Sequence, residues 1–352
     1  MSDYHFFTDT EFAGPGPSDL IRFWDRKSRQ LRLEPRINTP RFRFQDSMKF
    51  VNPIVAKHED APKIAKFWNL YYKGSDWSFK CNYEEVKQWM DQGFILLIKN
   101  HDSDDLIATF AFRKLNGGVI CGIQTPAAVL DGLVVKPEFR KTGLVSFILA
   151  YIDKQIYSSP DFSRGVLIWF RERDSSFDCV SQTPIAVLQY MYIKLDLING
   201  PKKHATVPTA DFVKQFVKKV YEHNPSLFTL TSLCSTDPSV LWFSTMNSLI
   251  GIADTHRTTS SVNQESIWEI VFAANRENPH FANLQEPIEN AARHLPCKSG
   301  ILFASNGISR GNMRTPTGAW VSGKSGYLTT HVYNWMPPVF LTGDILFPHA
   351  CI

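Results

Sequence analysis

The segment Leu130-Asp-Gly-Leu-Val-Val-Lys-Pro-Glu-Phe-Arg-Lys-Thr-Gly-Leu-Val-Ser146 carries three signals in succession. From Val129 to Val135 the residues are apolar and rich in β-branched side chains, which predicts a buried strand. Lys136-Pro-Glu-Phe-Arg140 breaks that run. Beyond it Leu144, Phe147, Ile148, Tyr151, Ile152 and Ile156 recur at helical spacing, marking one apolar helix face. The first N–H groups of such a helix are unpaired and lie along a favourable dipole, so the turn is a ready cradle for a pyrophosphate. Arg140 and Lys141 add positive charge, and Gly143 lets the backbone come close to a ligand. The competing reading is an ordinary β-α junction in which Gly143 serves packing alone.

Upstream, Phe50-Val-Asn-Pro-Ile-Val55 reads as a strand and His58-Glu-Asp60 as a cap, followed by a helix with Ile64, Phe67, Trp68 and Tyr71 on one face. A second helix is predicted from Tyr83 to Met90. Phe94 to Lys99 and Leu106 to Arg113 then form a hairpin around His101-Asp-Ser-Asp-Asp105. Downstream, Gly165 to Arg171 is a strand candidate, Ile185 to Ile193 reads as an apolar-aromatic helix, and Asn199-Gly-Pro-Lys202 is a boundary. From Thr206 a similar order recurs more faintly. A helix carries Phe212, Phe216 and Val220, strands fall near Val240 to Phe243 and Leu249 to Ile252, a helix spans Gln285 to His294, and strands follow at Gly300 to Ala304 and Tyr327 to Val332. The expected class is therefore mixed α/β, with an extended arm over residues 1–49 and two halves, 50–202 and 203–352.

With 352 residues, 43% hydrophobic and 20% charged, the chain can bury two cores of ordinary size. No apolar run approaches the roughly 18 to 20 residues of a membrane helix, and the start lacks the basic-then-apolar order of a signal peptide. A cytoplasmic protein without an integral membrane segment is expected. The six cysteines show no paired metal spacing, so no metal and no disulfide framework is expected. The net charge of +4 is local, because Arg22 to Lys49 holds nine Lys or Arg against three Asp or Glu. Without a stacking platform beside it, that arm predicts no nucleic-acid partner.

The strand, basic Gly143 turn and amphipathic helix resemble the acetyl-CoA-binding motif of the GNAT superfamily. Further segments resemble the glycylpeptide N-myristoyltransferase family from about residue 4 to residue 352. Tyr4-His-Phe-Phe-Thr-Asp-Thr-Glu-Phe12 is similar to the family's Tyr-x-Phe-Trp-x-Thr-Gln-Pro arm, with Phe7 in place of its tryptophan, and Leu33-Glu-Pro35 follows at nearly the family's interval. Trp77-Ser-Phe-Lys-Cys-Asn-Tyr-Glu-Glu-Val-Lys-Gln-Trp89 resembles an aromatic stretch and helix that line the peptide groove. Asp131-Gly-Leu-Val-Val135 falls on the family's Asn-Phe-Leu-Cys-Val, and His331-Val-Tyr-Asn-Trp-Met-Pro337 on its Tyr-Leu-Tyr-Asn-Trp.

That resemblance implies two GNAT-like halves in a pseudo-twofold arrangement, a monomer, and transfer of a myristoyl group from acyl-CoA to the amine of Gly-initiated peptides. It implies that Tyr4, His5, Phe6 and Phe7 cover the CoA, that Val134 and Val135 belong to its site, and that Lys141, Gly143, Leu144 and Val145 hold its phosphates. The backbone N–H groups of Gly132 and Leu133 would stabilise the thioester oxyanion, a role that does not depend on the side chain. The carboxylate of Ile352 would take the proton that an α-ammonium must lose before it attacks. Trp77, Phe79, Asp131, Phe170 and Tyr333 would line the acceptor site. Three positions depart from the family pattern: Phe170 stands where a threonine hydroxyl is expected, the acidic run shrinks to Gly74-Ser-Asp76, and Asp131 replaces an asparagine. A GNAT acetyltransferase and an acyl-CoA-binding protein without turnover therefore stay open as alternatives.

Overall fold

The computed structural model describes residues 51–74, 77–115, 118–120, 123–124, 127–145, 147–148, 151–152, 166–172, 183–222, 228–230, 240–245, 247–260, 262–275, 284–305 and 319–333. The first half opens with β1 (Val51–Val55), α1 (Ala61–Tyr71), β2 (Trp77–Phe79) and α2 (Tyr83–Asp91). Pro62 lies in the first turn of α1, where its missing N–H costs nothing. At α2 the Asn82 side chain accepts from Glu84 N and Glu85 N while Glu85 Oε2 accepts from Asn82 N, a reciprocal capping box.

The hairpin β3 (Gly93–Asn100) and β4 (Leu106–Leu115) forms as the sequence predicts, followed by β5 (Gly118–Ile120), β6 (Ile123–Gln124) and β7 (Ala127–Val135). Residues 144, 145, 147, 148, 151 and 152 are helical. Both faces of this sheet are covered, which explains the unbroken apolar run in β3. Ile95 and Leu97 pack with Ile64, Trp68 and Val86 of α1 and α2, whereas Leu96 and Ile98 pack with Leu144, Ile148 and Ile152 of the helix after β7.

Next come β8 (Val166–Glu172) and β9 (Thr183–Lys194). The second half contains α3 (Ala210–Glu222), β10 (Phe228–Leu230), β11 (Val240–Ser244), β12 (Ser248–Thr259), β13 (Ser266–Asn275), α4 (Gln285–Ala292), β14 (Ile301–Ser305) and β15 (Val321–Tyr333). Its core joins Val213, Phe216 and Val217 of α3 and Ile288 of α4 to Ile252, Trp268, Ile270 and Leu302 of the sheet.

The main sheet has the order β1-β3-β4-β7-β8-β15-β9-β14-β13-β12-β11, with β2 added to β12. Read outward from the β15–β9 pair, the two directions match: each meets an antiparallel strand, then a parallel pairing, then antiparallel strands again. The parallel pairings are β7 with β8 and β13 with β14. This is the expected pseudo-twofold arrangement. The halves also interlock, because β15 separates β8 from β9 and β9 pairs with β14.

One expectation fails here, and one long strand is new. Ile185 to Ile193 is not a helix but the body of β9, inserted between β15 and β14. Apolar residues of both parities fill that segment, so two-residue alternation is absent, and only the partners on both edges make it a strand. The long strand β13 has no counterpart in the sequence reading; it is buried over Ile267–Ala274, which likewise erases alternation.

Candidate functional site

β7 and β8 pair in parallel only from Ala127↔Val166 to Val129↔Ile168. Past that point β7 follows β4 as far as Val135, and β8 follows β15 as far as Glu172. The two strands therefore part, and among the described residues no strand pairs with Leu130–Val135 on the β8 side. The parting leaves that edge of β7 without a strand partner among the described residues. Asp131 and Phe170 each lie two residues beyond the last pair, one on either strand of the opening.

On its other edge β7 carries a bulge. Ala111 pairs with Asp131 and Thr109 with Val134, so Gly132 and Leu133 together face the single Phe110. Gly132 has φ 57, a left-handed conformation that penalises any side chain, and an added Cβ would lie 3.1 Å from Trp68 Cζ2 and 3.3 Å from Trp89 Cζ3. The two indoles fill the space that a larger residue at 132 would need.

Beyond β7 a short 3-10 turn, Pro137–Phe139, is stapled by three bonds. Lys136 N donates to Ile107 O, Arg140 Nε to Val135 O, and Thr142 Oγ1 to Phe139 O, at 2.7–3.0 Å. Lys141 (φ 61) and Gly143 (φ 86) then take left-handed conformations. Among the described residues nothing lies within 4 Å of the position of a Cβ on Gly143, so no described neighbour requires the glycine for packing. Among the described residues, the backbone N–H groups of residues 141–145 donate to no acceptor. Lys141 and Gly143 are exposed while Leu144 is buried. An exposed nest of donors at a helix start suits a bound anion.

A buried polar knot sits at the bulge. Arg113 Nη2 pairs with Asp131 Oδ2 at 2.7 Å, the side chains being 4% and 7% exposed. The Gly132 N–H donates to Asp131 Oδ1 at 2.6 Å. Trp68 Nε1 donates to Thr109 Oγ1, which donates to Gly132 O, so the bulge is gripped from both sides. The Arg113 guanidinium stacks 4.2 Å over the Trp89 ring, which in turn packs against Trp68.

The second half closes over this knot. β2 pairs with β12 through Arg257↔Phe79 and Thr259↔Trp77, and Arg257 stacks 4.4 Å over Trp77. Tyr72, half-buried with its hydroxyl turned inward, is hydrogen-bonded to Arg257. Burial and then the charge of Asp131 push the phenol up to about 12. Glu269 of β13 pairs with Ala253 and shares the sheet face of Val271, away from α3 and α4. Burial pushes its carboxyl up to about 8, with Arg257 pulling the other way. Such a group is largely protonated at neutral pH.

The predicted residues therefore divide. Trp77, Phe79, Asp131, Gly132 and Leu133 are brought together with Trp68 and Tyr72, and Lys141, Gly143, Leu144 and Val145 form the donor nest. Val134 and Val135 are buried in the two cores of the first half, so their side chains face no opening. Phe170 and Tyr333 are placed by backbone alone, in the neighbouring strands β8 and β15. Tyr4, His5, Phe6, Phe7 and Ile352 lie outside the described residues. Sequence reasoning missed Thr109, Arg113, Tyr72, Arg257 and Glu269, although a lone carboxylate in Ile267-Trp-Glu-Ile-Val271 is itself a signal.

No protein-family model matches the sequence, and no curated protein sequence does. Solved structures match along nearly its whole length. Saccharomyces cerevisiae N-myristoyltransferase with bound myristoyl-CoA superposes with a TM-score of 0.63 at 10% identity, covering 88% of each chain. The chain has the N-myristoyltransferase fold. Another structure of the yeast enzyme with bound myristoyl-CoA reaches 0.63 at 9% identity over 94% of this chain and 91% of that one, and one with myristoyl-CoA and inhibitors reaches 0.60 at 10% identity. Within the N-myristoyltransferase fold, two residues that differ from the family's, Gly132 and Asp131, have physical partners. Gly132 yields its side-chain space to Trp68 and Trp89, and the charge of Asp131 is held by Arg113.

Proposed function

We propose that this protein is an acyl-CoA-dependent N-acyltransferase that moves a long-chain acyl group, myristoyl above all, to the N-terminal glycine amine of a protein or peptide. One observation carries the reading: β7 parts from β8 at a left-handed bulge and leads to a turn whose amides have no acceptor among the described residues. An extended pantetheine, with its own amides, suits the open edge of β7, and a pyrophosphate suits the nest at residues 141–145. The arm of residues 1–49 would cover the CoA. Residues 50–202 would bind it and residues 203–352 the acceptor.

The thioester carbonyl would rest against the Leu133 and Gly132 N–H groups. The Gly132 N–H is bonded to Asp131 Oδ1, so it becomes a donor to the oxyanion when Asp131 turns toward the incoming ammonium. After the α-ammonium gives up a proton to the carboxylate of Ile352, the free amine's lone pair forms the C–N bond. The C–S bond breaks, and CoA leaves as the thiolate, which takes up the second proton released by the acylated nitrogen. Trp77 and Phe79 would wall the acceptor site, with Phe170 and Tyr333 from β8 and β15. The protein would act as a cytoplasmic monomer and without a metal.

Calorimetric titration with acetyl-CoA and myristoyl-CoA, followed by transfer to Gly-initiated peptides, tests the reading. A fitted chain site adds about 0.8 kcal/mol per buried methylene, so myristoyl-CoA should bind far more tightly. Equal affinity points to short-chain transfer and defeats the long-chain claim. The second reading, acyl-CoA binding without turnover, is favoured by the engagement of the Gly132 N–H with Asp131. It requires tight myristoyl-CoA binding with no peptide product.

A further inference from the structure

We infer that the Asp131 carboxylate, anchored by Arg113, blocks the Gly132 N–H until a cationic amine draws it away, so that a bound acyl-CoA is protected from water until an acceptor arrives. The inference rests on the N-acyltransferase reading and adds a regulation to the same site. The Gly132 N–H stands apart from regular strand pairing, because Gly132 and Leu133 together face the single Phe110. It donates to Asp131 Oδ1 at 2.6 Å, while Asp131 Oδ2 is held by Arg113 Nη2 at 2.7 Å. The guanidinium is stacked on Trp89, and its buried Nε has no hydrogen-bond partner among the described residues. Asp131 is thus the ion partner that Arg113 keeps, whereas the bond to the neutral Gly132 N–H is the weaker and exchangeable one.

The bulge is the fixed member of this contact. Trp68 Nε1 donates to Thr109 Oγ1, which donates to Gly132 O, and both side chains are buried. Trp68, Ala111 and Trp89 close around the Gly132 Cα. Freeing the N–H therefore requires the carboxylate to move, with Oδ1 leaving while Oδ2 stays on Arg113. An ammonium drives that exchange, since it offers Oδ1 a charged donor in place of a neutral one. Water offers no charge and leaves the block in place. An oxyanion formed then lacks one donor and lies beside a negative charge. Hydrolysis has to take that path: water attacks the thioester carbon, the C–S bond breaks, the hydroxyl stays with the fatty acid, and the other proton of the water ends on the CoA sulfur. The amine path opens the donor before it needs it.

Release of CoA from myristoyl-CoA by the full chain, with and without a Gly-initiated peptide, provides the test in wild type, Asp131→Asn and Asp131→Ala. Without peptide the wild type should hydrolyse the thioester slowly. Both variants should do so faster, Asp131→Ala by about tenfold or more, within the range that one oxyanion donor commands. Transfer to the peptide should not rise with it, so the ratio of transfer to hydrolysis falls by at least the same factor. A second measurement needs no turnover: affinity for myristoyl-CoA relative to its thioether analogue, with a methylene for the carbonyl, should rise several-fold in the variants, the scale of one hydrogen bond. Circular dichroism and melting confirm folding, and Asp131→Asn, which keeps the shape without the charge, carries the test should Asp131→Ala not fold. Unchanged hydrolysis and unchanged relative affinity, in a wild type that acylates the peptide, overturn the block and leave the acyltransferase reading intact. A parallel loss of hydrolysis and transfer also overturns it, because Asp131 then serves the fold alone. A wild type that acylates no peptide overturns the acyltransferase reading, and the relative affinity by itself then decides the block. Failure to bind myristoyl-CoA overturns both.

Discussion

Replacing Arg113 by methionine strands the Asp131 carboxylate in a site that is 7% exposed, with the Gly132 N–H as its remaining donor. The bond removed is 2.7 Å long between groups almost fully withdrawn from water, so Coulomb attraction there is little screened. Breaking a buried pair by deleting one partner costs about 3–5 kcal/mol, which for a chain of this size lowers the melting temperature by on the order of 10 °C. Asp131→Asn leaves the guanidinium facing a neutral amide and should cost less, because Arg113 keeps its stacking on Trp89. In the double variant neither charge remains, and the amide oxygen introduced at position 131 can still accept from the Gly132 N–H. The pair should therefore be strongly coupled, with the double variant more stable than Arg113→Met alone by about 2 kcal/mol or more. Urea unfolding of the wild type, the two single variants and the double variant, with equal m-values as the check on comparability, measures this coupling. Additivity to within about 0.5 kcal/mol would refute the picture of a buried, mutually dependent ion pair.

Two further outcomes follow from single residues. Gly143→Val meets no neighbour but forces a left-handed conformation costing roughly 1–2 kcal/mol, so CoA affinity should fall several-fold with little change in the fold; unchanged affinity in a titration with CoA alone removes the turn from the site. Glu269 has a carboxyl raised to about 8, so the folded protein holds a proton that the unfolded chain has lost above about pH 4.5. The folded state binding more protons means that stability falls as pH rises from about 4.5 to 8 and levels off beyond. Glu269→Gln should remove that fall, worth on the order of 5 kcal/mol at most, and parallel stability profiles of wild type and variant would contradict it.

Local elements with one covered face could be read in the letters, because periodicity records which side is buried. The helix face of Leu144, Ile148 and Ile152 and the helix α2 were of this kind, whereas the strand at Val129–Val135, covered on both faces, was legible from its β-branched residues and the turn that ends it. Strands buried on both faces leave no such record, which is why β9 passed for a helix and β13 went unseen. The donor nest was legible for the same local reason: it depends on a few consecutive residues and the direction of one helix.

The surroundings of Asp131 were decided elsewhere. Arg113 and Asp131 are separated by 18 positions, and Trp77 meets Arg257 only because β2 joins β12. Charge pairing and burial act over a few ångströms of space, and chain order holds no measure of that distance. Sequence alone marked the turn at Gly143 as a candidate anion cradle; which charges surround Asp131 was left to the closing of one half upon the other.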